Sequence, residues 1–388
     1  SLESISVDPN NPYYSSIDGV LFDKQQHTLH IYPAGITNNS YIIPESVTSI
    51  ENSAFYLCSS LASITIPNSV TVIDDQAFRG CSSLTSVTIP ESVTSFGDDV
   101  FRDCSSLISV IIPKTMTAIG DNTFYGCSSL KSFTIPESIT SIGNCVFYGC
   151  SSLTSVLIPE SVTSIRSNAF NGCVSLTSIT IPEAMISIGE GAFFGCSSLT
   201  SVTIPESVTS FGDNVFRDCS SLKSVIIPES VTSLGYSIFS GCFSLTSITI
   251  PESVISIGQF AFSGCSSLKS VTIPESVISI GLCAFEGCSS LTSVTIPESV
   301  TSIVNPLFER CRKLKLAKII SDNIFVSNID NTEIVLAVPK NKVNEYKEAY
   351  PNNKVISVDE VGFEPESYEL AVKPSVLNTL SLFIDAFE

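Results

Sequence analysis

Tryptophan is absent from the 388 residues, and histidine and methionine occur only twice each. With so little imidazole, a histidine metal centre or general base has few places to form. The two histidines, His27 and His30, lie three residues apart. On a strand that spacing puts them on opposite faces, so they cannot chelate one ion together. Basic residues are scarce as well: 19 Lys and Arg stand against 38 Asp and Glu, a net charge of −19. Such a chain repels polyanions, which argues against nucleic acid and against an anionic membrane surface as partners. No apolar run approaches the ~18 residues that cross a bilayer, so any membrane attachment would use an anchor outside this chain. No C-x-x-C pair marks a metal site, and no G-x-S-x-G elbow singles out one of the many serines. The chain therefore reads as no enzyme, with no cofactor and no metal.

What the chain does have is period. Twelve prolines, from Pro44 to Pro297, fall 23 residues apart, each after an isoleucine. A phenylalanine follows each proline by 11 residues (Phe55 to Phe308), a cysteine by 14 (Cys58 to Cys311) and a leucine by 17 (Leu61 to Leu314). Strict self-similarity at this period marks a solenoid, in which each unit completes its core only against its neighbours. Within a unit, Leu84, Val87 and Ile89 follow the L-x-x-L-x-L strand pattern of leucine-rich repeats. Thr85, Ser86 and Thr88 should face outward from a parallel concave sheet, which the proline ends. The return half, residues 91–97, offers Val93 and Phe96 to the interior, and Val100 and Phe101 read as a short helical or 3₁₀ turn. Twelve such repeats stack into a right-handed superhelix, a rod of about 60 Å.

Fourteen cysteines would ordinarily suggest disulfides. Twelve of them occupy the repeat column, so neighbouring thiols lie about 4.8 Å apart with parallel Cβ vectors, a geometry that a disulfide cannot adopt. The column reads as a thiol ladder that serves backbone groups at each turn. Cys145 and Cys283 lie off the column at equivalent positions six repeats apart, roughly 29 Å, and cannot pair.

The ends depart from the repeat. Residues 1–43 form a first region in which Leu2, Ile5 and Val7 resemble the strand pattern and an Asp18-Gly19 turn suggests a β-hairpin cap. The array covers 44–319. A C-terminal α/β cap over 320–357 has a strand at 334–339, an amphipathic helix over about 340–350 and a last strand near 355–357. Residues 358–388 fit no repeat and read as a tail or linker with an acidic start. The first residues, Ser1-Leu2-Glu3-Ser4-Ile5, fall inside a motif, as in a mature or trimmed chain whose signal peptide has been removed.

The unit I-P-E-S-V-T-S-I-G-x-x-A-F-x-G-C-S-S-L-T-S-V-T closely resembles the repeat of the BspA-like bacterial leucine-rich-repeat surface proteins. The segments N-P-Y-Y-S-S-I-D-G-V-L-F-D-K and V-P-K-N-K-V-N-E-Y-K-E-A-Y look like that family's caps, and the resemblance covers roughly residues 1–357. It implies an extracellular or cell-surface location and adhesion to host or bacterial proteins, with no catalytic residues to carry over.

Candidate binding residues emerge by subtraction. Among the Thr and Ser of the outward strand positions, Ile108, Ile111, Lys131 and Leu157 break the pattern in three successive repeats, and Lys223 and Ile226 break it again. Exposed apolar residues rimmed by polar ones suggest an interaction site; neutral variation on a tolerant strand is the plainer alternative. A second candidate is the row after the Phe column: Tyr56, Arg79, Arg102, Tyr125 and Tyr148. Tyr and Arg are enriched at hot spots. The plainer account is a surface stack held by cation–π contacts and by Asp75, Asp98, Asp99 and Asp121. Glu follows ten of the twelve prolines, a row that could hold Ca²⁺ but is better read as solubilising charge. Asn38-Asn39-Ser40 forms a glycosylation sequon. These readings converge on a non-enzymatic protein-binding scaffold for a host extracellular-matrix protein or another bacterial surface protein. A carbohydrate-binding module or a structural spacer is the alternative. The oligomeric state stays open.

Overall fold

Proline has no N–H to donate, so each Ile-Pro step ends a β-ladder and sets the length of a turn of the coil. The computed structural model describes residues 2–329 and 333–361. The three residues before the Ile-Pro pairs form parallel strands, for example Ser63–Thr65, Ser86–Thr88 and Ser109–Ile111, except at 178–180, where a single bridge joins Ser178 to Ser201. Identical columns face each other, Ser63 on Ser86 and Ser86 on Ser109. These strands make a wide ladder along one face of the rod, in three segments broken between Ser109–Ile111 and Ser132–Thr134 and again at residues 178–180. After the proline the chain reverses in a β-turn, in which Val162 N–H donates to Pro159 O at 3.1 Å.

The segment expected to be a plain return contains a second strand. Ser141–Ile142, Ser164–Ile165, Ser187–Ile188 and Ser210–Phe211 pair in parallel and form a narrow ladder. Ile165 points inward from this strand and is buried between half-buried Ser164 and exposed Arg166, the alternation of a half-buried strand, and Val162 is buried from the turn before it.

The third side differs from expectation too. Around the Phe column the short turns form singly, Arg102 N–H to Asp99 O and Cys104 N–H to Phe101 O, both at 3.1 Å, and do not run on into a helix. Alternate N–H groups instead reach the next turn: Cys145 to Ser167 O at 3.0 Å, Phe147 to Ala169 O at 2.8 Å and Gly149 to Asn171 O at 2.7 Å. The reason is conformational. Cys145 (φ 53°) and Gly149 (φ 69°) both lie in the left-handed region, and the same two columns do so along the array. A residue in that region interrupts a right-handed helical run.

Inside, the phenylalanines stack in one column, with centroids 5.0 Å apart at Phe55–Phe78 and 5.9 Å at Phe285–Phe308. Side chains also bond between turns. Each column thiol after the first donates to the Phe carbonyl one turn back, as in Cys104 to Phe78 at 3.1 Å and Cys219 to Phe193 at 3.2 Å, while Cys58 donates to Tyr32 O at 3.5 Å. All fourteen cysteines are free, as the column geometry requires. Serine hydroxyls at the proline turns do the same, Ser161 Oγ to Ile139 O at 2.7 Å.

At the N-terminal end, β1 (Tyr14–Ile17) and β2 (Val20–Asp23) form an antiparallel hairpin through Asp18 and Gly19, both at positive φ. Strand β3 (Thr28–Ile31) is antiparallel to β2 and parallel to Ser49–Ile50, so it starts the narrow ladder. Leu2, Ile5 and Val7 form no strand. Leu2 is exposed, and Ile5 N–H donates to Gly19 O in an irregular segment. At the other end, Leu316–Ile319, Val335–Val338 and Lys354–Ser357 continue the wide ladder. Between the last two strands runs helix α1 (Val343–Ala349), entered through a 3₁₀ turn at Lys340–Lys342. Tyr346 of α1 is buried, and its hydroxyl accepts from Val326 N–H at 2.9 Å. A 3₁₀ turn covers Val358–Glu360; the rest of the tail read at 358–388 lies outside the described residues.

Candidate functional site

The wide ladder presents three outward columns per turn, filled mainly by Thr and Ser. Register places Ile111 beside Thr88, Leu157 beside Thr134, and Ile226 between Thr203 and Thr249. All three therefore occupy one column and point to solvent, at 63%, 63% and 67% exposure. Ile108 and Lys131 stand in the neighbouring column one turn apart, tied by Lys131 N–H to Ile108 O at 3.3 Å, and Lys223 occupies that same column further along. The structure thus gathers Ile108, Ile111, Lys131 and Leu157 on one stretch of this face. Lys223 and Ile226 form a second stretch of the same composition. Ile42, in the column of Ile111 and 74% exposed, belongs with them and was passed over because it lies before the first proline.

The Tyr/Arg row forms two stacks on another side. Arg79 lies over Tyr56 at 5.8 Å, Arg102 over Tyr125 at 4.3 Å, and Tyr125 and Tyr148 stack at 4.5 Å with rings 1° from parallel. The guanidinium of Arg102 also donates to Asp99 at 3.0 Å, which is the first cause of its raised pKa. Arg79 donates to Gln76 at 3.3 Å. Of the four aspartates read as partners, only Asp99 serves an Arg in this way. Asp75 accepts from Asp98 N–H and Asp98 from Asp121 N–H, both at 2.7 Å, and Asp121 accepts from Asn144 N–H at 2.8 Å. They form a carboxylate-to-backbone ladder of their own.

The narrow ladder carries further breaks. Its Thr column is interrupted by exposed Ile186, Ile255 and Ile278. The subtraction that found Ile111 would have found these, had the segment been read as a strand. Beside it runs a shallow groove of about 540 Å³, lined by Asn144, Ser164, Arg166, Ser187, Gly189 and Phe211 among others.

Elsewhere the chemistry is structural. His30 pairs with Glu51 and meets Tyr14 edge-on at 5.4 Å, while His27 precedes β3. The Glu row after the prolines is exposed, and no group of three His, Cys, Asp or Glu among the described residues could hold a metal ion. Burial pushes the column thiols up, Cys196 and Cys265 to about 12, far from the reactive range of a nucleophile. No helix is long and apolar enough to cross a membrane among the described residues.

Comparison with known proteins agrees with this architecture. A leucine-rich-repeat protein from Bacteroides ovatus is 28% identical, with 87% of this chain and 92% of that one aligned and a TM-score of 0.71. A leucine-rich cell surface protein from Faecalibacterium prausnitzii is 27% identical over 77% of this chain and 97% of its own, with a TM-score of 0.48. The pneumococcal vaccine antigen PcpA shares the fold at 19% identity and a TM-score of 0.53, with 89% of this chain and 87% of that one aligned. No curated protein matches the chain. The description "BspA type leucine rich repeat region", in six copies, fits residues 34–151, 117–246 and 237–348. With nearly the whole array matched, the chain belongs to the BspA-type leucine-rich-repeat family.

Proposed function

We propose that this protein is a non-enzymatic, cell-surface or secreted scaffold that binds protein ligands through its wide face. One observation carries the reading: on a hydroxyl-rich sheet, Ile111, Leu157 and Ile226 share one column and stand more than half exposed. Aliphatic side chains left in water on an otherwise polar surface favour contact with an apolar partner surface. The fold supports the role, since a rod of stacked turns offers an extended surface held rigid by its interior. The cell-surface location draws on the family and on the named surface protein from Faecalibacterium.

A glycan ligand would use aromatic faces. The aromatic row offers little of them, because Tyr125 and Tyr148 cover one another and Arg102 covers Tyr125.

The test immobilises the protein and probes it with a panel of extracellular-matrix proteins and with a glycan array. Binding to a protein probe, weakened at least about tenfold by combined Ile108→Asp, Ile111→Asp and Leu157→Asp substitution, is the expected result. Binding to glycans alone, or undiminished binding by the triple variant, overturns the reading.

A further inference from the structure

The charge on the wide face runs against the charge of the molecule. The chain carries 38 acidic and 19 basic residues. Yet the outward columns of the wide ladder between residues 62 and 318 contain no Asp or Glu at all. They contain five lysines: Lys131, Lys223, Lys269, Lys315 and Lys318. The first four fall in one column. Lys269 and Lys315 stand two turns apart, linked by Thr292 N–H to Lys269 O at 3.2 Å and Lys315 N–H to Thr292 O at 2.9 Å. Two strand spacings put them about 10 Å apart. Lys318 pairs with Thr295 in the column of Ile226.

None of these five ammonium groups has a carboxylate partner among the described ion pairs, whereas Arg102, Arg217, Arg310 and Lys342 all do. The lysines therefore stand ready for an external anion. The Glu row after the prolines rims the opposite edge of the face, with Glu229, Glu252, Glu275 and Glu298 exposed. A ligand lying here meets ammonium on one side and carboxylate on the other.

We infer that the C-terminal half of the wide face, from Lys223 to Lys318, binds an extended polypeptide segment that presents acidic and aliphatic residues on one face. The inference rests on the scaffold reading and names the chemistry of its partner. Acidic side chains pair with Lys223, Lys269, Lys315 and Lys318, while an aliphatic one covers Ile226. Screening decides between a short acidic segment and a long polyanion. At physiological salt the Debye length is about 8 Å, so a short segment sees the local lysines. A polyanion spans many such lengths and meets the carboxylates of the whole rod. It also offers nothing to Ile226.

The experiment uses the full chain and fluorescence anisotropy with a labelled twelve-residue peptide that has Ser at every second position and Glu with one Val at the positions between, its Gln-for-Glu analogue, and a heparin fragment. The Glu peptide binds, and its affinity falls about tenfold between 50 and 300 mM NaCl, as a contact with several ion pairs demands. Lys269→Thr, Lys315→Thr and Lys318→Thr together remove the binding; threonine is the residue these columns ordinarily hold, so the variant keeps its fold. Equal binding of the Gln peptide, or unchanged binding by the triple variant, overturns the inference. Heparin binding tighter than the peptide overturns the polypeptide assignment. If the Glu peptide fails while a matrix protein still binds and still responds to Ile111→Asp and Leu157→Asp, only this inference falls. If neither binds, the scaffold reading falls with it.

Discussion

The thiol of Cys173 donates to the carbonyl oxygen of Phe147, one turn back, at 3.2 Å. That oxygen already accepts Cys150 N–H at 3.1 Å from its own turn. Both lone pairs of a buried carbonyl are thereby used, and one bond of each pair crosses between repeats.

Alkali should loosen the rod. Burial raises Cys196, Cys265 and Cys311 to about 12, against roughly 8.5 for an unfolded thiol. Between those values the unfolded chain has lost thiol protons that the folded chain keeps, so stability falls as pH rises. Each such thiol contributes a slope of up to about 1.4 kcal/mol per pH unit. Urea midpoints should hold steady from pH 6 to about 7.5 and drop progressively above about 8, less steeply in a Cys196→Ala/Cys265→Ala variant. A flat profile to pH 10 would count against the thiol account.

Thiol reagents offer a second check. At pH 8 the folded protein should react first at Cys145, the one half-buried cysteine, and slowly, because burial raises its thiol pKa. In denaturant all fourteen should titrate. Prompt reaction of column thiols in native buffer would contradict their burial.

Phe147→Ala removes a ring stacked on Phe124 and Phe170 at 5.7 and 5.3 Å. A loss of about 3–5 kcal/mol is expected, read by chemical denaturation. Because turns contact only their neighbours, hydrogen exchange should quicken most in the turns flanking the cavity.

Cys145 sits at φ 53°, a column where Asn122 and Asn168 occupy the same left-handed position at 56° and 58°. Asparagine tolerates that conformation better than cysteine does. Cys145→Asn should therefore stabilise by about 0.5–1 kcal/mol, seen as a higher melting temperature. An unchanged or lower value would show that the thiol contributes more than its backbone costs.

Arg102 and Tyr125 form a contact at 4.3 Å that a double-mutant cycle can isolate. Arg102→Ala and Tyr125→Ala should show a coupling of about 0.5–1 kcal/mol. A coupling near zero would mean that Asp99 and Asp103 hold the guanidinium without the ring.

The Pro, Phe, Cys and Leu columns made the coil legible because each does the same job in every turn. The thiol ladder followed from spacing alone, since Cys81 and Cys104 had to lie one strand apart. The narrow ladder was missed because two-residue strands such as Ser164–Ile165 leave only a short alternation, which a return loop can mimic. The turn expected at Val100–Phe101 is present as one i→i+3 bond, Arg102 N–H to Asp99 O, and goes no further because Asp99, at φ 57°, and its column hold a left-handed backbone that residue identity barely marks. At the candidate face, Ile111 and Leu157 were legible as breaks in a column. The unpaired state of Lys269 and Lys315 was not, since it depends on where carboxylates sit in space.

Every bond of the sulfur ladder joins unlike residues in adjacent copies, and it is satisfied by any copy that follows any other. Deleting or duplicating one whole repeat rejoins a cysteine to a phenylalanine and changes the reach of the rod by about 4.8 Å. Residues 90–104 and 205–219 are nearly identical, the trace that copying leaves. Length is thus a quantity this protein can alter by recombination without reopening its interior, and each exchange also moves the lysines and isoleucines of the wide face relative to one another.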